Sequence, residues 1–360
     1  GASAYTGICN GQGHDITGFS AEGTGHLGLF GDANGATIKN FSISGSVNVT
    51  EGYCAGVVAN LTNSTIENVH SALVIDAPNG DTHHVGGVAG SARGGNTISG
   101  CSFSGSLTVT SSTDNFAGIA AYITNGDMVI NCANYGNVTF SASGCAAGGI
   151  VGYVNAQQAY IQNCLSTGGI LFDGEGTPKY GAAIIGRTKG FAADKVTNNY
   201  WLEGSAYGTI RNNDGSEAME TGSVSTEQLA SGEIAYKLGA AFSQLIGTNA
   251  YPAFGYAPVS YVGDAGYATM YDATTGYKLN GDVTANVATL NNGKWLKLAE
   301  IENVPAGTPV ILKGTYYNKL AADLPAINIA NDLKGTAVDT EADGTMYVLA
   351  KPEGKEVGFY

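Results

Sequence analysis

A short glycine-rich unit returns through the first two hundred residues at a nearly fixed interval. It reads LGLFG at 27–31, AGVVA at 55–59, GGVAG at 86–90, AGIAA at 117–121, GGIVG at 148–152 and AAIIG at 182–186. Its central apolar residues are Leu29, Val57, Val88, Ile119, Ile150 and Ile184, separated by 28, 31, 31, 31 and 34 residues. A second anchor keeps the same interval, with Ile38, Ile66, Ile98, Val129, Ile161 and Val196 each leading a short apolar segment. Two independent anchors on one period leave the fold little freedom. One unit is too short to bury its own apolar face, whereas a stack of units buries a continuous one. Val, Ile, Thr and Ser set between Gly and Asn turns make the segments strands. The expected fold is mainly β: a parallel β-helix, or solenoid, with coils of about 31 residues.

In-register stacking puts equivalent residues of successive coils roughly 4.8 Å apart, so the sequence should read as ladders. The Ile38 row is the apolar lining. One turn row is asparagine: Asn40, Asn68, Asn131, Asn163 and Asn199, interrupted by Gly100. The next row reads Phe41, Val69, Cys101, Cys132, Cys164 and Tyr200, so three of the six cysteines share one position. Without a CxxC pair, these read as buried free thiols rather than disulfide or metal ligands. Cys9, Cys54 and Cys145 fall on no ladder. The stretch VGGVAG at 85–90 invites a phosphate-loop reading, but that needs a following helix. Here another strand pattern follows, and the element recurs six times. Gly86, Gly87 and Gly90 are therefore expected to allow close backbone approach or a positive φ, and Gly87→Val to damage folding.

The residues GLFG at 28–31, preceded by GQGHDITG at 11–18, resemble the GLUG-type repeats of bacterial surface and secreted proteins, which include some IgA-specific proteases and filamentous adhesins. The resemblance covers about residues 5–254. It implies a right-handed parallel β-helix used as a scaffold and no particular activity. STEQLASGEIAYKL at 225–238 has the spacing of a helix, and the tail QLIGTNAYPAF at 244–254 resembles the closing segment of such proteins. Together they are expected to cover the open edge of the last coil. The first domain is thus read as 1–254, with a capping helix about 225–238. Residues 255–360 gain lysine, lose glycine and alternate in short apolar segments. They are read as a small antiparallel β-sandwich-like domain. GYATM, VPAGTPVILKG and MYVLAKPEGKEVGFY resemble the C-terminal domain of surface proteins from Gram-negative gut anaerobes.

The net charge of −14 disfavours nucleic acid and anionic membranes as partners. No run of 18 apolar residues is present, so no membrane span is expected. The chain opens at Gly1 with no Met and no charged-then-apolar leader, which fits either a removed signal peptide or a sequence that simply starts here; the expected location is extracellular, at the outer cell surface. Three groups could hold a metal: Asp81 with His83 and His84, Asp173 with Glu175, and Asn213 with Asp214 and Glu217. None has a complete ligand spacing, and all read as polar turns. The outward row Lys39, Glu67, Ser99, Ile130, Gln162 and Thr197 mixes signs as a solvated face does. His14, His26 and His70 read as structural.

Recognition falls to the loops before each glycine anchor. They carry Glu51, Asp81, Asp114, Asp173 and Glu175, and end near Tyr53, His84, Phe116 and Tyr180. This row of acids and rings is the candidate ligand edge, suited to a glycan or Ca²⁺. The competing reading has the rings closing the core at a corner. The expected function is that of an exported, non-catalytic, adhesin-like surface protein. It would bind host or glycan ligands through an extended β-helix face, as a monomer, with no cofactor beyond Ca²⁺. Two alternatives stay open. One is a polysaccharide-active β-helix enzyme (lyase or glycosidase), with carboxylates converging from different coils. The other is a structural stalk.

Overall fold

The computed structural model describes residues 3–78, 82–110, 115–219, 222–292 and 295–336, with the pairs 349–350 and 358–359. It separates into two compact units, Gly1–Ser225 and Thr226–Tyr360.

The first unit is a parallel β-solenoid of about six turns. One coil shows the plan, with strands Thr97–Ser99, Ser102–Phe103, Ser106–Val109, Asn115–Ala117 and Ala120–Ile123. Each pairs in parallel with its counterparts in neighbouring coils. The strands after each glycine anchor form a separate sheet, from Phe30–Asn34 to Ile210–Asn212. The first coils run as longer strands, such as Ile8–Leu27 and Thr37–Ala55. Among the described residues no helix is long and apolar enough to cross a membrane.

The Ile38 row stacks as expected: Ile38, Ile66, Ile98, Val129, Ile161 and Val196 are direct partners and at most 2% exposed. It begins one coil earlier, because Cys9 pairs with Ile38. Cys54 also has a row, between Leu27 and Val85. Two of the three cysteines left without a ladder therefore stand on one.

The asparagine row sits where the chain turns out of the first strand with a left-handed backbone. Here φ is 59° at Asn40, 51° at Asn68, 55° at Asn131 and 54° at Asn163, and Gly100 takes 61°. Asn and Gly are the residues that adopt this conformation at least cost. The side chains also bond along the row. Asn68 Nδ2 donates to Asn40 Oδ1 at 3.0 Å, and Asn163 Nδ2 to Asn131 Oδ1 at 3.2 Å. The last member is Asn198 (φ 55°), which donates to Asn163 Oδ1 at 2.8 Å, and not Asn199. The expected register was one residue late in this coil, so Tyr200 also leaves the thiol row and Asn199 takes its place, 2% exposed.

That replacement shows what the thiol row does. Cys101, Cys132 and Cys164 are free and buried. Their Sγ atoms approach the carbonyls of Ile66, Ile98 and Val129 in the preceding coil at 3.7, 3.5 and 3.6 Å. Asn199 Nδ2 donates to the next carbonyl of the series, that of Ile161, at 2.8 Å. The row supplies a donor to a buried inter-coil carbonyl, which a thiol does weakly and an amide well. Burial pushes the Cys164 thiol up to about 12 and Cys132 well above its ordinary value.

The glycine anchors work by close approach. Gly56, Gly87, Gly118 and Gly149 have no positive φ. A Cβ on Gly87 would lie 2.1 Å from the Gly118 carbonyl oxygen and 2.4 Å from the Phe103 ring. At the opposite turn a buried carboxylate closes the coil. Asp127, 1% exposed, accepts from the backbone N of Gly95, Asn96 and Thr124 and from the Asn96 amide, at 2.6–3.1 Å.

Two further strands of the first unit follow its last coils. Gly222–Val224 pairs in parallel with Tyr200–Leu202, and Glu217–Met219 lies antiparallel on Ile210–Asn212. The expected capping helix is two short helices, Thr226–Ala230 and Glu233–Leu238, parted at Gly232 (φ 90°). The division into compact units falls between Ser225 and Thr226, before this segment, where the sequence reading placed it after 254. The segment bonds inside the second unit. Buried Gln244 donates to the Leu229 carbonyl at 2.8 Å. Buried Asn318 receives Ile246 N at 2.8 Å and donates to the Gln244 and Pro258 carbonyls. The described strands of the second unit form one six-stranded antiparallel sheet and a separate two-stranded pair. Its apolar cluster includes Val287, Val310 and Leu312.

Candidate functional site

Each coil of the solenoid folds back on itself at the glycine anchor. A Cβ on Gly90 would lie 2.4 Å from the Ala59 carbonyl oxygen and 2.9 Å from that of Cys54, and one on Gly152 would lie 2.8 Å from that of Phe116. Small residues at 31, 59, 90, 121, 152 and 186 let the two sides of this corner meet. Two outward rows then face each other across it. One row is His26, Tyr53, His84, Asn115, Ala146 and Tyr180. The other is Asp32, Asn60, Ser91, Tyr122, Tyr153 and Arg187.

Large side chains on one row stand beside small ones on the other. Tyr53 goes with Asn60 and His84 with Ser91, then Asn115 with Tyr122 and Ala146 with Tyr153. The outcome is a row of rings along the axis that crosses from one wall to the other. His26 stacks on Tyr53 at 4.9 Å, Tyr53 on His84 at 4.9 Å, and His84 on Tyr122 at 4.7 Å. Tyr122 meets Tyr153 edge-on at 5.7 Å. The Arg187 guanidinium then lies between Tyr153, 4.7 Å away, and Tyr180, 5.1 Å away. Arg93 lies over Tyr122 at 4.9 Å. Such contacts contribute about 0.5–1.5 kcal/mol each beyond their burial.

Polar groups hold the row in place. Asp32 binds His26 Nδ1 at 2.8 Å and accepts from Asn60 Nδ2 at 2.8 Å. Asn115 Nδ2 reaches His84 Nδ1 at 3.1 Å, and Asn155 Nδ2 donates to the Tyr122 hydroxyl at 2.7 Å. Burial pushes the Tyr153 phenol up, with Arg187 pulling against it. Tyr53, Tyr122 and Tyr153 remain partly exposed at their rims, and His84 only 5% exposed.

The expected ligand edge is only partly gathered. Tyr53, His84 and Tyr180 join the ring row. Phe116 is fully buried on Phe140, because Asn115 is the residue in register with His84. Glu51 and Glu175 are exposed, as is Asp173, which accepts from Ser141 Oγ at 2.6 Å. Asp81 and Asp114 lie outside the described residues. Among the described residues no three His, Cys, Asp or Glu side chains are grouped to hold a metal ion. The sequence reading missed Tyr122, Tyr153, Arg187 and Arg93. A signal for the first three was present, since each follows the small residue that ends an anchor.

No protein-family model matches the chain, and no curated protein matches it. Among solved structures it is similar to one from Bacteroides ovatus described provisionally as an immunoglobulin A1 protease. The identity is 19%, the TM-score 0.42, and the match covers 68% of this chain and 76% of that one.

Proposed function

We propose that the protein is an exported, non-catalytic binding scaffold of the GLUG-repeat, adhesin-like kind, which holds a glycan or host-surface ligand along the ring-lined corner of its solenoid. The observation that carries this reading is the row from His26 to Arg187, one or two large side chains per coil without a break. Coil packing accounts for a ring-sized group at each step, but not for the choice of tyrosine, histidine and arginine with polar atoms at the rim. A linear repeat of aromatic rims, hydroxyls and guanidinium groups suits a linear, hydroxyl-rich ligand.

The test is binding of the whole chain to a glycan array and to host extracellular matrix, with Tyr122→Ala and Tyr153→Ala beside the parent. Bound glycan or matrix that is lost in both variants, with melting curves retained, is the expected result. Parent protein that binds neither surface would refute the proposal.

A further inference from the structure

We infer that the corner is selective for an acidic polysaccharide, whose anionic groups are taken by Arg93 and Arg187; this rests on the binding reading above and adds the ligand's chemistry to it.

The chain has only three arginines among 360 residues and a net charge of −14. All three arginines lie on strands of the one sheet that follows the glycine anchors: Ala89–Arg93, Ile185–Thr188 and Ile210–Asn212. In so acidic a chain an arginine ordinarily finds a carboxylate, yet among the described residues none of the three forms an ion pair.

Two of them are held in the same way. Arg187 is sandwiched by Tyr153 and Tyr180, and its Nε donates to Asn213 Oδ1 at 2.8 Å. Arg93 lies on Tyr122, and its Nε donates to Ser91 Oγ at 3.0 Å. In both, a ring lies against the guanidinium and Nε is used internally. The Nη nitrogens of Arg187 have no partner among the described residues, and Arg93 Nη2 has only the Tyr53 hydroxyl at 3.5 Å. Those paired nitrogens are the fork that binds carboxylate or sulfate bidentately. Arg211 differs, because its fork is spent on the carbonyls of Tyr207 and Gly215.

The order along the corner is Arg93, Tyr122, Tyr153, Arg187. Ser91 and Arg187 stand three coil steps apart on one row, roughly 14 Å. The two forks lie over neighbouring rings of that row, Arg93 on Tyr122 and Arg187 on Tyr153, an arrangement that matches an oligosaccharide bearing repeated anionic groups. The tyrosine faces are already taken by one another and by the arginines, which leaves no platform for stacking bases and disfavours a single-stranded nucleic acid. Asp32, the carboxylate on these rows, is committed to His26 and Asn60 at the far end.

The experiment is isothermal titration of the full chain with polygalacturonate, its methyl ester and dextran sulfate, at low and high salt. The methyl ester keeps the sugar backbone and removes the charge, so this comparison needs no variant. Polygalacturonate is expected to bind at least about tenfold more tightly than the ester. Added salt should reduce the difference. R93Q/R187Q should remove the preference, R93K/R187K should keep part of it, and K39Q, on a row of the other sheet, should leave it unchanged. Dextran sulfate binding as well as polygalacturonate would show that charge alone is read; binding only one of them would identify carboxylate or sulfate as the source. Equal affinity for acid and ester, or an undiminished preference in R93Q/R187Q, would overturn the inference and leave the binding reading intact. If the parent also binds nothing on the glycan array and no matrix, both fall.

Discussion

Gly87 offers the sharpest test of the solenoid's packing. Its α-hydrogen position points at a neighbouring coil: a Cβ there would sit 2.1 Å from the Gly118 carbonyl oxygen and 2.4 Å from two atoms of the Phe103 ring. Phe103 is fully buried, so neither obstacle can swing aside. To bring the oxygen out to about 3 Å the coils must part locally by nearly 1 Å. That stretches the bonds from Gly87 N to Ala117 O, now 2.9 Å, and from Val88 N to Ile119 O, now 3.2 Å. Losing two such bonds costs about 2 kcal/mol, and overpacking beside Phe103 adds about 1–3 kcal/mol. The total is roughly 4 kcal/mol, most of it incurred by the first carbon. Gly87→Ala should therefore be nearly as damaging as Gly87→Val. Gly144, whose Cβ would meet nothing within 4 Å, is the control, with Gly144→Ala expected within about 0.5 kcal/mol of the parent. Urea titration followed by circular dichroism and by Trp201 fluorescence, in a Trp295→Phe background, reads the solenoid. A Gly87→Ala protein with the parent's midpoint would refute the close-approach argument.

Asp127→Ala should destabilise the solenoid by about 3 kcal/mol in the same assay, because it strands the backbone N–H groups of Gly95, Asn96 and Thr124 in a buried turn; an unchanged midpoint would show that water replaces the carboxylate. Of the six thiols only Cys9 is not fully buried, so a thiol reagent at mildly alkaline pH should label one site in the native protein and the other five after denaturation. Burial raises Cys54 and Cys164 to about 12, so their contribution is complete below the unfolded value near 9 and is lost as pH climbs through 12. Cys54→Ala should flatten that alkaline decline, and a decline of unchanged slope would contradict it. In the second unit, the Thr274 and Thr275 backbone N–H groups and the Tyr277 hydroxyl hold Asp272 at about 2. Its stabilising effect is present above 3.8 and fades as pH falls toward 2, which a carboxyl carbon NMR titration should show; a midpoint near 4 would contradict it.

The interior was legible in the sequence because one geometric requirement repeats. Every coil needs an apolar residue at the Ile38 row and a residue tolerant of a left-handed backbone at the Asn40 row, so type and interval reinforce each other. The reading slipped where two asparagines adjoin: in KVTNNY either Asn198 or Asn199 satisfies the pattern by type. Only the structure shows that Asn198 takes φ 55° while Asn199 turns inward to the Ile161 carbonyl. The helical segment misled for a different reason. Its apolar spacing is genuine, but the left-handed Gly232 splits it, and Gln244 and Asn318 tie it to residues more than ten positions away that no local pattern reveals. Phe116 was one residue out of register because a ring after an acidic loop resembles Tyr53 in sequence, whereas alternation places it on the buried row of Cys54 and Val85.

The ring row escaped a column-by-column reading because no single column contains it. Its rule is a sum over two positions seven residues apart: from Tyr53 and Asn60 to Ala146 and Tyr153, each coil places one ring in the corner and one small residue opposite. The corner has a fixed width, set by backbone contacts such as that of Gly152 against Phe116, and it accommodates one ring per step. Either wall can supply that ring, so each wall alone looks like an ordinary solvated strand. The last coil departs from the rule by supplying both Tyr180 and Arg187, and the guanidinium fits because it is flat and stacks between two rings. Ordinary coil packing would be met by any ring-sized group at any step. What it leaves unexplained is that the chain's few arginines lie on this one sheet, two of them on its tyrosines and, among the described residues, in no ion pair. That residue is the part of the surface for which folding gives no reason, and it is where a ligand's chemistry is most directly expressed.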